Sequence, residues 1–407
     1  MRAKYVVCLV GILTVASGCG ASKNQPSTAH PRPPTTKASA GLPSLFSRVA
    51  GVPTESLDEV SVEQGAADHG AAVFVGSVEL LRAGETVSEP AVWRSTDGQT
   101  WVRMTSTSLA GDEGNGELRG IVATGSSLVL VGSGYESGHT TPAAWISTDG
   151  GANWQRSSGD RFGETGYLVG VGRRGNTLVA LGNVASSAAV WTSSDGGAQW
   201  HEYTDPTISG PSRGANAVLG TAQGFVAAGA DGGSAAFWTS ADGIRWTPNS
   251  YKPAGSEVQR LAMTPDGSIV ATGGRQDQSS SQSGPVTAWR SGDGGQSWAA
   301  VTLPVDPRRP EAAVSDVTSI GGGLVAVGTQ QADTQGSSRG IFWRSGDGRR
   351  WDLIKLPDEG GLPTQEGPLS DNVDADAALV FRDRVYVAGT AGAASPDGSQ
   401  FVIWEGN

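Results

Sequence analysis

Residues 93–101 read WRSTDGQTW. Nearly the same words return as WISTDGGANW (145–154), WTSSDGGAQW (191–200), WTSADGIRW (238–246), WRSGDGGQSW (289–298) and WRSGDGRRW (343–351). The first tryptophans of successive copies lie 46 to 54 residues apart, and a seventh, Trp404, follows 61 residues after Trp343 in FVIWEGN. All 13 tryptophans of the chain fall in these stretches. A recurring period of this length marks an array of like structural units.

Each unit carries a second mark, a short apolar run that reaches a glycine. The seven are AAVFVG to Gly76, LVLVG to Gly132, LVALG to Gly182, FVAAG to Gly229, IVATG to Gly273, LVAVG to Gly328 and VYVAG to Gly389. Most are preceded by another short run, such as RGIVATG (119–125) or SDVTSIG (315–321). Short runs rich in Val, Ile and Ala, bounded by Gly, Ser, Asp and Asn, are strand and turn signals. No long segment of helical period interrupts them. Each unit therefore reads as four antiparallel strands with the Gly-marked run ending at its glycine. Seven such sheets, in a chain with 60 glycines, predict an all-β, seven-bladed β-propeller over 41–407. The seventh unit stops at its third strand. Residues 45–49, LFSRV, resemble the fourth strands and are predicted to pair beside the Trp404 strand, closing the last blade and removing an exposed edge.

The N-terminus reads differently. Arg2 and Lys4 precede an apolar run over 5–16, too short to span a bilayer as a stable helix, and Ala16-Ser17-Gly18-Cys19 follows. This resembles a bacterial lipoprotein signal, which implies removal of 1–18 and lipidation of Cys19. Residues 19–40 are rich in Pro, Ser, Thr and Ala and hold almost nothing to bury, so they read as a disordered tether. The chain is then expected to be exported and lipid-anchored on the outer face of the cytoplasmic membrane. Cys8 would leave with the signal, so no disulfide is expected.

The net charge is −11, and −13 once Arg2 and Lys4 are removed. That argues against nucleic acid as a partner. The four histidines are scattered and no zinc-type spacing occurs, so neither metal nor cofactor is expected, and a monomer is.

The repeat S-x-D-G-(G)-x-x-W resembles the Asp-box, or BNR, repeat of sialidases, sortilin-type receptors, some glycoside hydrolases and the propeller factor that assists photosystem II assembly. The resemblance covers about 45–407 and implies that each box is a hairpin turn between a blade's third and fourth strands. Asp97, Asp149, Asp195, Asp242, Asp293 and Asp347 are then structural: short acidic side chains accept amide hydrogen bonds and fix turns. The glycine after each permits positive φ, and Trp101, Trp154, Trp200, Trp246, Trp298 and Trp351 fold over the turns as apolar lids.

In that family the ligand face lies opposite the boxes. The long insertions here gather at 78–89, 275–285, 330–340 and 355–374, on blades one, five, six and seven, and long loops on a rigid scaffold are where binding is expected. At the starts of the inner strands Arg119, Tyr167, Asn216, Arg260, Asp316, Asp374 and Asp376 would line the channel mouth, with Asp58 and Glu59. Asp58, Asp371, Asp374 and Asp376 near the closure form an acidic cluster that could bind a cation, though ordinary solvated carboxylates are the expectation. Sialidase chemistry would need an Arg triad, a Tyr nucleophile and a Phe/Tyr-Arg-Ile-Pro motif, and that motif is absent. The sequence therefore favours a non-catalytic scaffold for an envelope protein, with glycan binding or glycoside hydrolysis as the alternative. A pair of buried carboxylates facing a pocket on the long-loop side would favour the hydrolase.

Overall fold

The structure is a computed structural model that describes residues 42–43, 45–53, 59–68, 70–82, 85–104, 108–109, 115–209, 213–274, 286–307, 312–331, 338–354, 363–364, 367–368, 373–392 and 399–406. Signal and tether, 1–18 and 19–40, lie outside these residues. So do Asp58 and Asp371, and most of the insertions 275–285, 330–340 and 355–374.

The described residues are all-β and form seven antiparallel blades. Blade one, for example, runs Glu59–Ala67, Ala72–Arg82, Glu85–Ser95, Val102–Met104 from the axis outward. The inner strands pack against one another in ring order, and the seventh, Val373–Phe381, returns to the first. Blade seven consists of Val373–Phe381, Arg384–Gly392, Ser399–Gly406 and, outermost, Phe46–Arg48. Ser47 pairs with Glu405 and Arg48 with Trp404, so the N-terminal strand completes the last blade as expected. Blade three differs from the four-strand expectation, because Ser158–Gly159 adds a fifth strand in parallel beside Gln199–Tyr203.

The apolar side chains form seven clusters, one at each interface between neighbouring blades. The first tryptophan of each repeat is fully buried there. Trp145, Trp191, Trp238 and Trp343 also donate their indole N–H to carbonyls of Ser108, Asp160, Thr207 and Pro304, on the connection entering their own blade. Each ring thus fills an interface and ties down a loop. At the closure Trp93 stacks on Phe401 at 4.2 Å, joining blades one and seven.

The marker glycines do not end their strands. Gly132 lies inside Leu128–Glu136 and Gly76 inside Ala72–Arg82. Opposite each marker the inner strand skips a register, at Glu63, Arg119, Val169, Asn216, Gln259, Ser315 and Asp376. A β-bulge carries one residue more than its partner strand, and the extra turn of backbone pushes a carbonyl toward the neighbour. A Cβ on any of the seven glycines would overlap that carbonyl oxygen. The period seen in the sequence is therefore the footprint of a ring of seven bulges around the axis.

Candidate ligand-binding face at the channel mouth

The two ends of the propeller are chemically unlike. In blade four, Gly220 pairs with Phe225 and Phe225 with Ser240, which places the following box turn at the end of the inner strand. At that end the six aspartates are consumed by their own turns. Asp195 accepts from the amides of Ala198 and Gln199 at 3.0 and 3.1 Å and from the Ser193 hydroxyl at 2.7 Å. The same serine oxygen accepts from Gly197 N–H at 2.9 Å, and the Trp200 indole donates to the Gly197 carbonyl at 3.0 Å.

Ser95, Ser147, Ser240, Ser291 and Ser345 repeat the serine's part, all buried. Backbone donors are the largest influence on two of the carboxyls, Thr100 on Asp97 and Arg349 on Asp347. At Asp149, Asp195, Asp242 and Asp293 burial opposes ionisation, but hydroxyl and amide donors together outweigh it. All six are held below the usual carboxylate range. The box glycines have φ between 69° and 81°. Each turn also packs against the preceding blade, whose third strand supplies an arginine in two cases. Arg94 of blade one donates to the Gly150 carbonyl of the next box at 2.7 Å, and Arg290 of blade five to that of Asp347 at 2.9 Å.

At the other end, where the inner strands begin, five of the bulge residues, Glu63, Arg119, Gln259, Ser315 and Asp376, face open space. Two pockets open there. One, of about 570 Å³, lies among blades one, five, six and seven and is lined by Glu59, Glu63, Gln259, Arg260, Ser315, Asp374 and Asp376, among others. Arg260 reaches from blade five to blade one, donating to the Glu63 carbonyl at 2.7 Å. Its Nε lies 3.7 Å from Asp316 of blade six, which is 3% exposed. Burial pushes the Asp316 carboxyl up, against the pull of Arg260 and of the amides of Ala378 and Val317, which donate at 2.9 and 2.8 Å.

Asp376 is pushed up to about 8, first by burial and then by the charges of Asp374 and Glu63. It is not the ordinary solvated carboxylate expected from the sequence. The residue is half-buried and its side chain lines the pocket.

The second pocket, of about 610 Å³, lies among blades one, two and three and includes Glu117, Arg119, Tyr135, Tyr167 and Asn183 in its lining. Arg119 pairs with Glu117 and lies 5.8 Å from the centre of the Tyr167 ring, which is 42% exposed.

The seven mouth residues proposed from sequence thus separate. Arg119 and Tyr167 share one pocket. Arg260, Asp374 and Asp376 line the other, with Asp316 behind Arg260. Asn216 joins neither; its Nδ2 donates to Glu257 at 2.5 Å and to the Val258 carbonyl at 3.0 Å, binding blade four to blade five. Glu63, Gln259 and Ser315 were not singled out in the sequence. The marker glycines carried the signal, since each announces a bulge on the strand opposite, but the register that identifies the bulged residue is a tertiary fact. No group of three His, Cys, Asp or Glu side chains among the described residues is placed to hold a metal ion.

No family model matches the chain, and no curated protein matches it. Solved structures do. A structure of YCF48 bound to a D1 peptide is 16% identical over 91% of this chain and 99% of its own, with a TM-score of 0.52. YCF48 from Cyanidioschyzon merolae is 15% identical over 89% and 98%, with a TM-score of 0.53. The GH74 xyloglucanase from Xanthomonas campestris is 16% identical over 88% of this chain and 55% of its own, with a TM-score of 0.53. At these identities the likeness establishes the propeller fold alone.

Proposed function

We propose that this chain is an exported, lipid-anchored propeller that binds a protein of the cell envelope at the channel mouth opposite the box turns. The observation that carries the reading is the contrast between the two ends. Hydrogen bonds within the turns saturate the box aspartates at one end, while two pockets, with an incompletely paired acidic set and an exposed tyrosine, open at the other. Pockets of a few hundred Å³ with few convergent polar groups are the usual form of a binding site. The six turns are read as Asp-box repeats, and YCF48, a propeller of like fold, is seen with a bound peptide. Lipidation at Cys19 with a tether over 19–40 would leave the domain a root-mean-square reach on the order of 25 Å from the membrane.

A second reading, glycoside hydrolysis, is favoured by one observation. Asp376, its carboxyl raised to about 8, shares a pocket with Asp374 and Glu63. A carboxyl with a raised affinity for its proton, beside another carboxyl, is what the acid of such a hydrolase requires. Affinity capture of the full chain from membranes of the native host, beside a panel of chromogenic glycosides, separates the two. Recovery of one abundant envelope protein with no glycoside turnover supports the scaffold. Turnover that disappears in Asp376→Asn would replace the scaffold by an enzyme. Membrane retention of Cys19→Ser would refute the lipid anchor.

A further inference from the structure

The chain enters the propeller at the box end. Phe46 pairs with Gly406, the last residue of the third strand of blade seven, and the N-terminal strand then runs toward the mouth, with Arg48 opposite Trp404. Arg344 of blade six holds the entry in place, its Nη1 donating to the Pro43 carbonyl at 3.1 Å. A tether that begins at Cys19 is thus attached to the box end and not to the mouth.

The same end carries unanswered cations. Arg349 and Arg350 in the sixth box, and Arg382 at the turn between the first two strands of blade seven, are exposed. Among the described residues they form no ion pair and their guanidinium groups donate no hydrogen bond; Arg382 lies 5.0 Å from the centre of the Phe381 ring. The acids around them are mostly engaged. Asp347 is held by its own turn, Asp352 lies 3.8 Å from Arg344, and Glu405 pairs with Arg384, which leaves Asp383. Apolar exposure is a separate mark. The large apolar side chains most open to solvent among the described residues are Leu45, Val102 and Tyr167. Leu45, 45% exposed, adjoins Phe46 at the entry, and Val102, 53% exposed, directly follows the first box. The mouth is unlike this: Glu59, Glu63, Asp374 and Asp376 surround a pocket with Arg260 its one arginine.

We propose that the box end of blades six, seven and one rests on the anionic phospholipid headgroups of the leaflet that holds the Cys19 lipid, so that the mouth points away from the membrane. The inference rests on the lipid-anchor reading and adds which face the anchor turns to the bilayer. An arginine held within a Debye length of an anionic surface favours contact about fivefold, and its planar fork matches phosphate oxygens. Apolar side chains beside cations are the usual make-up of a protein face that lies on a membrane. The acidic mouth is repelled by the same surface charge. The distribution of charge, not the negative total, therefore selects the end.

The test uses the mature protein purified from membranes of the native host, with mass spectrometry to read the lipid at Cys19. A lipidated Cys19 leaves an introduced cysteine as the one free thiol. A fluorophore is placed at Gln296→Cys on the box end or at Gln259→Cys on the mouth, both exposed and both on blade five. Each protein is reconstituted into vesicles that carry a quencher on the lipid headgroups. In mixed phosphatidylcholine and phosphatidylglycerol the Gln296 label is expected to be quenched at least about threefold more than the Gln259 label. In phosphatidylcholine alone, or with Arg349→Gln, Arg350→Gln and Arg382→Gln combined, that difference is expected to vanish. The three side chains are exposed, and an unchanged melting temperature checks that the variant folds.

Lipid at Cys19 with equal quenching of the two labels, or with stronger quenching at the mouth, overturns the docking and leaves the anchor standing. So does a preference for the box label that survives the combined arginine variant, since the attachment point of the tether would then account for it. Absence of lipid from Cys19 refutes the anchor, and the docking with it.

Discussion

A buried serine hydroxyl closes each box turn. It donates to the aspartate two residues on and accepts an amide from the turn, so one oxygen serves both arms. Ser193→Ala leaves the Gly197 amide and Asp195 short of a partner and should cost about 1–3 kcal/mol in urea denaturation; an unchanged midpoint would contradict the part given to the serine. The opposite end behaves inversely with pH. Asp376 has a folded affinity for its proton raised above the unfolded value, to about 8. Its contribution to stability is therefore intact below the ordinary carboxylate range and lost as pH rises toward about 8. Asp376→Asn should melt like wild type near pH 4 and above it near pH 8. Equal melting temperatures at the upper pH would show that Asp376 is well solvated. Of these residues the box aspartates were legible in the sequence, because a turn is a local device and repeats beside its own residues. Asp376 was legible only as an acid near the mouth; its raised affinity for the proton depends in part on the charge of Glu63, far away in the chain.

At the scale of strands, the Gly-marked run was legible as a strand, but its glycine was misjudged as a terminus. The reason lies across the sheet: the bulge at Ser315 brings the Ala313 carbonyl onto Gly328, where no Cβ fits. Gly328→Ala must either flatten the bulge or push the strands apart, and is expected to cost roughly 3 kcal/mol, at the upper end of overpacking penalties. Chemical denaturation checks it, and a loss under about 0.5 kcal/mol would mean that the bulge is not fixed by its glycine. The second tryptophans are lids as well as fillers. Trp200 is fully buried and bonded to its own turn, so Trp200→Ala should lower stability by about 3–5 kcal/mol. Equal melting temperatures for the two proteins would remove the lid.

At the scale of the molecule, closure rests on the pairing of residues 46–48 with 404–406, on the Val49 amide donating to the Ile403 carbonyl at 2.9 Å, and on a polar clasp behind them. Glu405 of blade seven accepts from Gln99 of the first box at 2.8 Å and from Arg384 of its own blade. Phe46 stacks on Phe342 of blade six at 4.8 Å. The ring, its blade count and this closure were all readable from periodicity, since one unit was one strand short and one strand had no unit. The division of the mouth into two pockets was not. It arises from blades that are distant in sequence, and from bulges whose register only the folded sheet defines.

The account stands on one spatial claim, that a partner meets the mouth and not the boxes. Photoreactive side chains at Gln259 and Ser315 on the mouth, and at Gln223 and Gln296 on the box face, would test it in cells of the native host. Cross-links to a common envelope protein from the first pair alone are the result expected. The same protein captured from Gln223 and Gln296, with none from the mouth, would place function on the box face and contradict the account.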